Sequence, residues 1–192
     1  MNKICHICVV KIRIDVKDAE LIESFKKGNR YAFEQLVKKY QKNIYWHARR
    51  MTGNHFDADE IAQEVIITIY NKISSFRYES ELSTWIYRIT ANKTINYLRK
   101  EYIKKFFSIE NVTKKDSNDI VKNLEDKQKL EKLNEVLGGL PIKQREVFLL
   151  RHFEGMNYNE ISKVTGKTEG SLKANYHHAI TKILKRMNYE VY

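Results

Sequence analysis

The sequence predicts an all-α protein of two small helical domains joined by a flexible linker, and three observations carry that expectation. One Pro and seven Gly among 192 residues are too few for a turn-rich all-β fold. Apolar residues recur with a helical period through two blocks, 20–100 and 126–192. Between them, residues 101–125 lack that period and run through Lys114, Lys115, Asp116, Ser117, Asn118 and Asp119, so this stretch reads as a linker. Fully extended it would reach roughly 80 Å, at ~3.3 Å per residue.

Residues 1–19 form an N-terminal extension outside both blocks. Its Val10–Val16 run alternates with period two, as a short strand would. Cys5 and Cys8 sit there as Cys-His-Ile-Cys, half of a zinc-site spacing without a second Cys pair, which suits a reducing cytoplasm better than a metal or disulfide framework.

In the first block, Phe33, Leu36, Val37, Tyr40, Ile44 and Ala48 define one face of a helix that ends near Gly53. Asp57, with Glu60 three residues on, predicts a capped start for a second helix, buried through Ile61, Val65, Ile66, Ile69 and Ile73. A loop over 74–82 leads to Ser83 as the cap of a third helix. There Trp85, Ile86, Ile89, Ile95 and Leu98 face inward, while Arg88, Asn92, Lys93, Asn96, Arg99 and Lys100 mark a polar, basic side.

The second block opens with an amphipathic run, 124–137, closed by Gly138 and Gly139, and Pro141 starts a helix through Phe153. Asn157 and Glu160 form a capping-box pattern for a short helix with Tyr158, Ile161 and Val164 inward. Thr165, Gly166 and Lys167 make a turn. Thr168 then caps a last helix held by Leu172, Tyr176, Ala179, Ile180 and Ile183, which completes a helix-turn-helix.

The net charge of +11 favours a polyanionic partner. Residues 19–100 carry +5 and 126–192 carry +4, flanking a neutral 101–125. No window approaches the ~20 uninterrupted apolar residues of a membrane span, and no signal peptide is expected. No glycine-rich phosphate loop, HExxH or GxSxG is present, and His177 and His178 point about 100° apart on a helix. The expectation is therefore a protein that is not an enzyme and needs no metal or cofactor.

The helix-turn-helix, with Lys173, Asn175, His177, His178 and Lys182 on its last helix, suits major-groove binding. In the loop ahead of the third helix and in the helix's first turns, Phe76, Arg77, Tyr78, Trp85, Tyr87 and Arg88 interleave aromatics with arginines, the chemistry that holds unstacked bases. Phe76 and Trp85 fit a core role equally well, and Tyr78 and Tyr87 are the candidates for stacking. Asp57, Asp59, Glu60 and Glu64 would repel phosphate, so their face suits a protein partner, although helix-dipole capping explains Asp57 and Glu60 without one.

Taken in order, Ala32–Leu36, Asp57–Val65, Ser83–Asn92, Leu140–Phe148, Glu154–Ile161 and Glu169–Lys173 resemble bacterial RNA polymerase sigma factors of the sigma-70 family, extracytoplasmic-function (ECF) subfamily, over about residues 20–186. The resemblance implies a sigma2-like bundle at 20–100 that binds core polymerase and recognises and melts the minus-10 element. It implies a sigma4-like helix-turn-helix domain at 126–192 that reads the minus-35 element.

By the same resemblance, Asp59, Glu60, Gln63, Glu64 and Ile67 dock on the clamp helices of the large polymerase subunit. Arg77, Tyr78, Arg88, Asn92, Lys93 and Asn96 act at the minus-10 element, and Thr168, Ser171, Lys173, Ala174, His177 and His178 face minus-35 DNA. The implied partners are core RNA polymerase and promoter DNA, with an anti-sigma factor as a further partner the resemblance allows, and the implied location is cytoplasmic. The alternative is a helix-turn-helix regulator that binds duplex DNA without polymerase. Lys167 stands at a turn position usually apolar in the family, Ser162 where a small Ala is common, and His177–His178 where an arginine is frequent.

Overall fold

A computed structural model describes residues 16–107 and 132–187. The Cys-His-Ile-Cys segment, the alternating run up to residue 15 and most of the expected linker lie outside the described residues.

Helix α1, Val16–Lys26, packs on α2, Arg30–Thr52. Ile22 enters the core, while the buried Asp18 carboxylate accepts from the Tyr40 hydroxyl and, at 2.6 Å, from Lys39 Nζ. Asn29 caps α2 by accepting from the Tyr31 amide, and Gly53, at φ 74°, closes it in the left-handed region that glycine enters without a steric cost.

Helix α3, His55–Lys72, is capped by Asn54, whose side chain accepts from the amides of Phe56 and Asp57. The cap therefore lies three residues ahead of the expected Asp57. Asn54 takes the role because it sits in extended backbone directly after the Gly53 turn, whereas Asp57 is already helical.

A 3-10 turn, Ile73–Ser75, precedes α4, Leu82–Phe107. Ser83 lies inside α4 rather than at its cap, and its hydroxyl donates to the Glu81 carboxylate at 3.3 Å. The helix also runs on through the first seven residues of the stretch read as linker, to Phe107. Ile44, Ile61, Val65, Ile69, Ile73 and Ile86 join Ile22 in the core of this bundle. Burying each such side chain stabilises the fold by about 1.5–3 kcal/mol.

In the second block a helix over 132–138, α5, leads to α6, Ile142–His152. Pro141 stands immediately before α6, where its missing N–H costs nothing. Asn157 and Glu160 form the complete reciprocal capping box of α7, Tyr158–Thr165. Gly166, at φ 69°, closes α7, and the Ser162 hydroxyl donates to the Lys167 carbonyl at 2.6 Å. Ser162 thus ties the turn in a way an alanine could not. The last helix, α8, is Glu169–Met187, and the Thr168 side chain accepts from the Ser171 amide at 3.4 Å.

The two blocks are docked on each other. Met51 of α2 shares a core with Leu137, Leu140 and Leu149, and Tyr87 and Ala91 of α4 share another with Val147, Leu150, Ile161 and Val164. Arg145 of α6 is buried across this seam, donating to the carbonyls of Met51, Gly138 and Leu140. Burial lowers its pKa from the usual guanidinium value, and its Nε has no partner.

Candidate nucleic-acid interface

Three surfaces hold the residues singled out from the sequence. On α3, Glu60, Gln63, Glu64 and Ile67 are exposed and Asp59 is half-buried beside His55, with Nε2 to carboxylate 3.3 Å. Two apolar residues that sequence reasoning missed extend the same face, Phe56 at 68% and Tyr70 at 43% exposure. Phe56, Glu60, Gln63, Ile67 and Tyr70 follow alternating steps of four and three, so they form one stripe along the helix. A mixed polar and apolar stripe that carries Glu60 and is flanked by Asp59 and Glu64, on a cationic protein, is suited to another protein rather than to phosphate.

The second surface is α4 with the loop ahead of it. Arg88, Asn92 and Asn96 are exposed on one side, each a turn from the next, and Lys93 reaches Glu64 Oε2 at 2.8 Å. That bond holds the Glu64 carboxyl below the usual carboxylate range and brings a residue of the polymerase set against one of the DNA set. Where the loop meets the helix, a cavity of about 300 Å³ is lined by Phe76, Arg77, Thr84, Trp85 and Arg88, together with Lys163 from α7.

The aromatics of this loop divide unequally. Phe76 is buried, and Trp85 packs at 5.4 Å from it while lining the cavity. Tyr78 adopts φ 57° and turns away, its hydroxyl donating to Glu23 Oε1 at 2.8 Å under Lys26. Burial and the carboxylate bond push its pKa up to about 12. Tyr87, read from the sequence as a stacking candidate, is buried in the seam between blocks, so in this arrangement no base can reach it. It faces inward because its turn of α4 meets α7 as well as the bundle.

The third surface is α8. Thr168, Ser171, Lys173, Ala174, His177 and His178 are all exposed, while Leu172, Ala179 and Ile183 hold the helix from behind. Lys173 lies 3.9 Å from Glu169 and over the Tyr158 ring, an arrangement that keeps it at the outer face. The first half of α8 therefore presents small side chains, a cation and two imidazoles along its exposed side.

Among the described residues no helix is long and apolar enough to cross a membrane. The family model for sigma-70 region 2 matches residues 36–102, and that for sigma-70 region 4 matches residues 130–183. The ECF RNA polymerase sigma factor SigW of Bacillus subtilis is 30% identical over 179 residues, covering 86% of this chain and 94% of that protein. The chain belongs to the ECF RNA polymerase sigma factors.

SigM of Mycobacterium tuberculosis, another ECF sigma factor, is 24% identical over 92% of this chain and 88% of its own. Two solved structures share the fold. CnrH in complex with the cytosolic domain of CnrY aligns with a TM-score of 0.68 at 21% identity, over 90% of this chain and 97% of that one. The sigma factor RpoE of Bartonella quintana, in complex with the anti-sigma factor NepR, aligns with a TM-score of 0.69 at 20% identity, over 83% and 98%. In this sigma factor the region 2 match spans the α3 stripe and every cavity-lining residue named above except Lys163, which falls with the helix-turn-helix in the region 4 match. Phe56 and Tyr70 escaped the sequence reading because their apolar character at helical spacing signals a core as readily as an exposed stripe.

Proposed function

We propose that this sigma factor binds core RNA polymerase through the α3 stripe, captures and opens minus-10 DNA with α4 and the cavity ahead of it, and reads minus-35 DNA with α8, working in the cytoplasm and contributing no catalytic group. The observation that carries this reading is the α3 stripe. A helix-turn-helix protein acting alone has no use for an outward acidic face with Ile67 exposed at 59%, whereas a polymerase subunit requires a protein-docking surface beside its DNA surface.

The chemistry of the other two surfaces supports the division of labour. A base taken out of the duplex costs a few kcal/mol in lost stacking, and an aromatic platform returns about 1–3 kcal/mol per base. Trp85 offers the platform and Arg77 and Arg88 the charge for the adjoining phosphates. Exposed Lys173, His177 and His178 supply donors along the first half of α8, and Thr168 and Ser171 stand at its amino end, where the helix dipole adds a favourable field for phosphate.

Gln63→Ala combined with Glu64→Arg is expected to abolish binding to core polymerase while the far-ultraviolet circular dichroism of the chain stays unchanged. Polymerase affinity equal to wild type would overturn the proposal.

A further inference from the structure

The cavity ahead of α4 offers more than a flipped base requires. Arg77, Arg88 and Lys163 line it and Glu79 is its one acid, so the wall carries three cations against one carboxylate, a balance of +2. All three cations are exposed, and none has an ion-pair partner among the described residues. Other cations of the chain are paired, Lys26 with Glu23, Lys93 with Glu64 and Lys104 with Glu101.

Thr84 adds an independent observation. It lines the same cavity at 6% exposure, and its hydroxyl has no hydrogen-bond partner among the described residues. Buried hydroxyls are normally satisfied, so a polar group that meets this one gains a bond without breaking an internal one. Thr84 also stands in the first turn of α4, where the helix dipole favours an anion. The aromatic wall is fixed in place. Trp85 packs at 5.4 Å against the buried Phe76, and the loop is pinned by Leu82 in the core and by the bond from Tyr78 to Glu23. Such preorganisation lowers the ordering cost of binding.

We propose that this cavity binds a free nucleoside 5′-monophosphate, its base stacked on Trp85 and its phosphate held by Arg77, Arg88 and Lys163. A terminal phosphate carries about −1.5 to −2 charges at pH 7, which matches the wall, whereas each phosphate of a strand carries one. A volume of about 300 Å³ stands at the lower end of small-molecule sites and suits a single nucleotide. Lys163, from the helix-turn-helix, is a third cation that the minus-10 assignment leaves unused. Glu79 supplies an acceptor for ribose hydroxyls or base amino groups. Stacking tolerates any base, so the site selects a phosphate joined to a ring rather than one base identity.

Trp85, Arg77 and Arg88 are also the groups assigned to minus-10 DNA, so a bound nucleotide and the promoter strand exclude one another. That consequence rests on the sigma-factor reading; the binding site itself does not.

Isothermal titration calorimetry of the full chain with adenosine 5′-monophosphate tests the site, with one molecule expected per chain. Adenosine should bind about a hundred-fold more weakly for want of the phosphate, and inorganic phosphate about ten-fold more weakly for want of the stack. Lys163→Ala should weaken binding about ten-fold and Thr84→Val several-fold. Neither replaced polar group has an internal partner, so neither change removes an internal hydrogen bond. Lys185→Ala, which removes the same charge from the last turn of α8, should leave binding unchanged. Trp46→Phe leaves Trp85 as the only tryptophan, and nucleotide should quench its emission with the calorimetric midpoint. No saturable binding at millimolar nucleotide, affinity for adenosine or for inorganic phosphate equal to that for the nucleotide, or equal losses in Lys163→Ala and Lys185→Ala would each overturn the site.

Exclusion is read by permanganate reactivity of melted thymines, without nucleoside triphosphates, on a DNA fragment that this protein and core polymerase transcribe. Adenosine 5′-monophosphate added before polymerase should lower the reactivity, and lower it less with Lys163→Ala. Undiminished reactivity with the nucleotide bound would overturn exclusion and leave the site standing. If no fragment is transcribed, the sigma-factor reading and the exclusion both fall, while the calorimetry still decides the site.

Discussion

Replacing Glu146 with Gln should stabilise this protein, and only above a definite pH. Glu146 lies in α6 and is 6% exposed. Burial pushes its carboxyl up to about 7 from an ordinary 4.5, against an opposing pull from the charges of Lys167 and Arg99. A carboxyl whose pKa is raised on folding favours the native state while protonated. Its contribution is complete below pH 4.5 and is lost as pH rises through about 7. At 1.36 kcal/mol per unit, the loss is at most about 3 kcal/mol. Gln carries the neutral form at every pH, so Glu146→Gln should match wild type near pH 4.5 and exceed it by about 2–3 kcal/mol at pH 8.

His47 shapes the raw curve in the opposite sense. It is fully buried without a hydrogen-bond partner, and burial, reinforced by the charge of Arg50, holds it down at about 4. Its contribution is present above pH 6.5 and is lost as pH falls towards 4. The two slopes nearly cancel between pH 4.5 and 6.5, so the observable is the difference between variant and wild type. Urea unfolding followed by circular dichroism at several pH values measures it, provided the dependence on urea is the same for both proteins. A Glu146→Gln variant less stable than wild type at pH 8 would refute the reasoning, because it would mean that the carboxylate is ionised and paired.

Three further outcomes follow from particular contacts. Arg145→Met should cost about 3 kcal/mol by urea unfolding, since it strips the donor from three carbonyls that converge on one buried guanidinium; a cost below about 0.5 kcal/mol would contradict that role. Asn157→Ala should cost about 1 kcal/mol, read as a lowered melting temperature, because it dismantles the capping box that starts α7. Lys173→Ala should reduce the slope of log affinity against log salt by about one for binding of the full chain to a duplex promoter fragment, the signature of one lost phosphate contact; an unchanged slope would place Lys173 off the DNA.

The helices from α2 onward were legible because each has an apolar face with the helical period and polar punctuation at its ends; α1 was not, since residues 1–19 read as an extension and Val16 as the end of a strand-like run, whereas Val16 opens α1 and Asp18 is buried against α2. The Asn157–Glu160 box and the Thr168 cap were correctly located from sequence. Asp57 and Ser83 were misread as caps because both residue types favour that position, and only the backbone decides which neighbour occupies it. Asn54 wins through the Gly53 turn before it, while Ser83 is already inside α4. The outward acidic stripe was visible as an exception to the net charge, and its apolar ends were not, since Phe56 and Tyr70 look like core in one dimension. The seam lay beyond sequence reasoning altogether. Tyr87 and Glu154 are 67 residues apart and belong to different blocks, and neither carries a local pattern that names its partner.

The central claim is that one chain joins polymerase to a promoter and enables initiation there. Run-off transcription with core polymerase on genomic fragments tests it most directly. The expected result is discrete transcripts that require this protein and vanish with Gln63→Ala combined with Glu64→Arg. Fragments that are bound but never transcribed, or transcripts unaffected by that change, would contradict it.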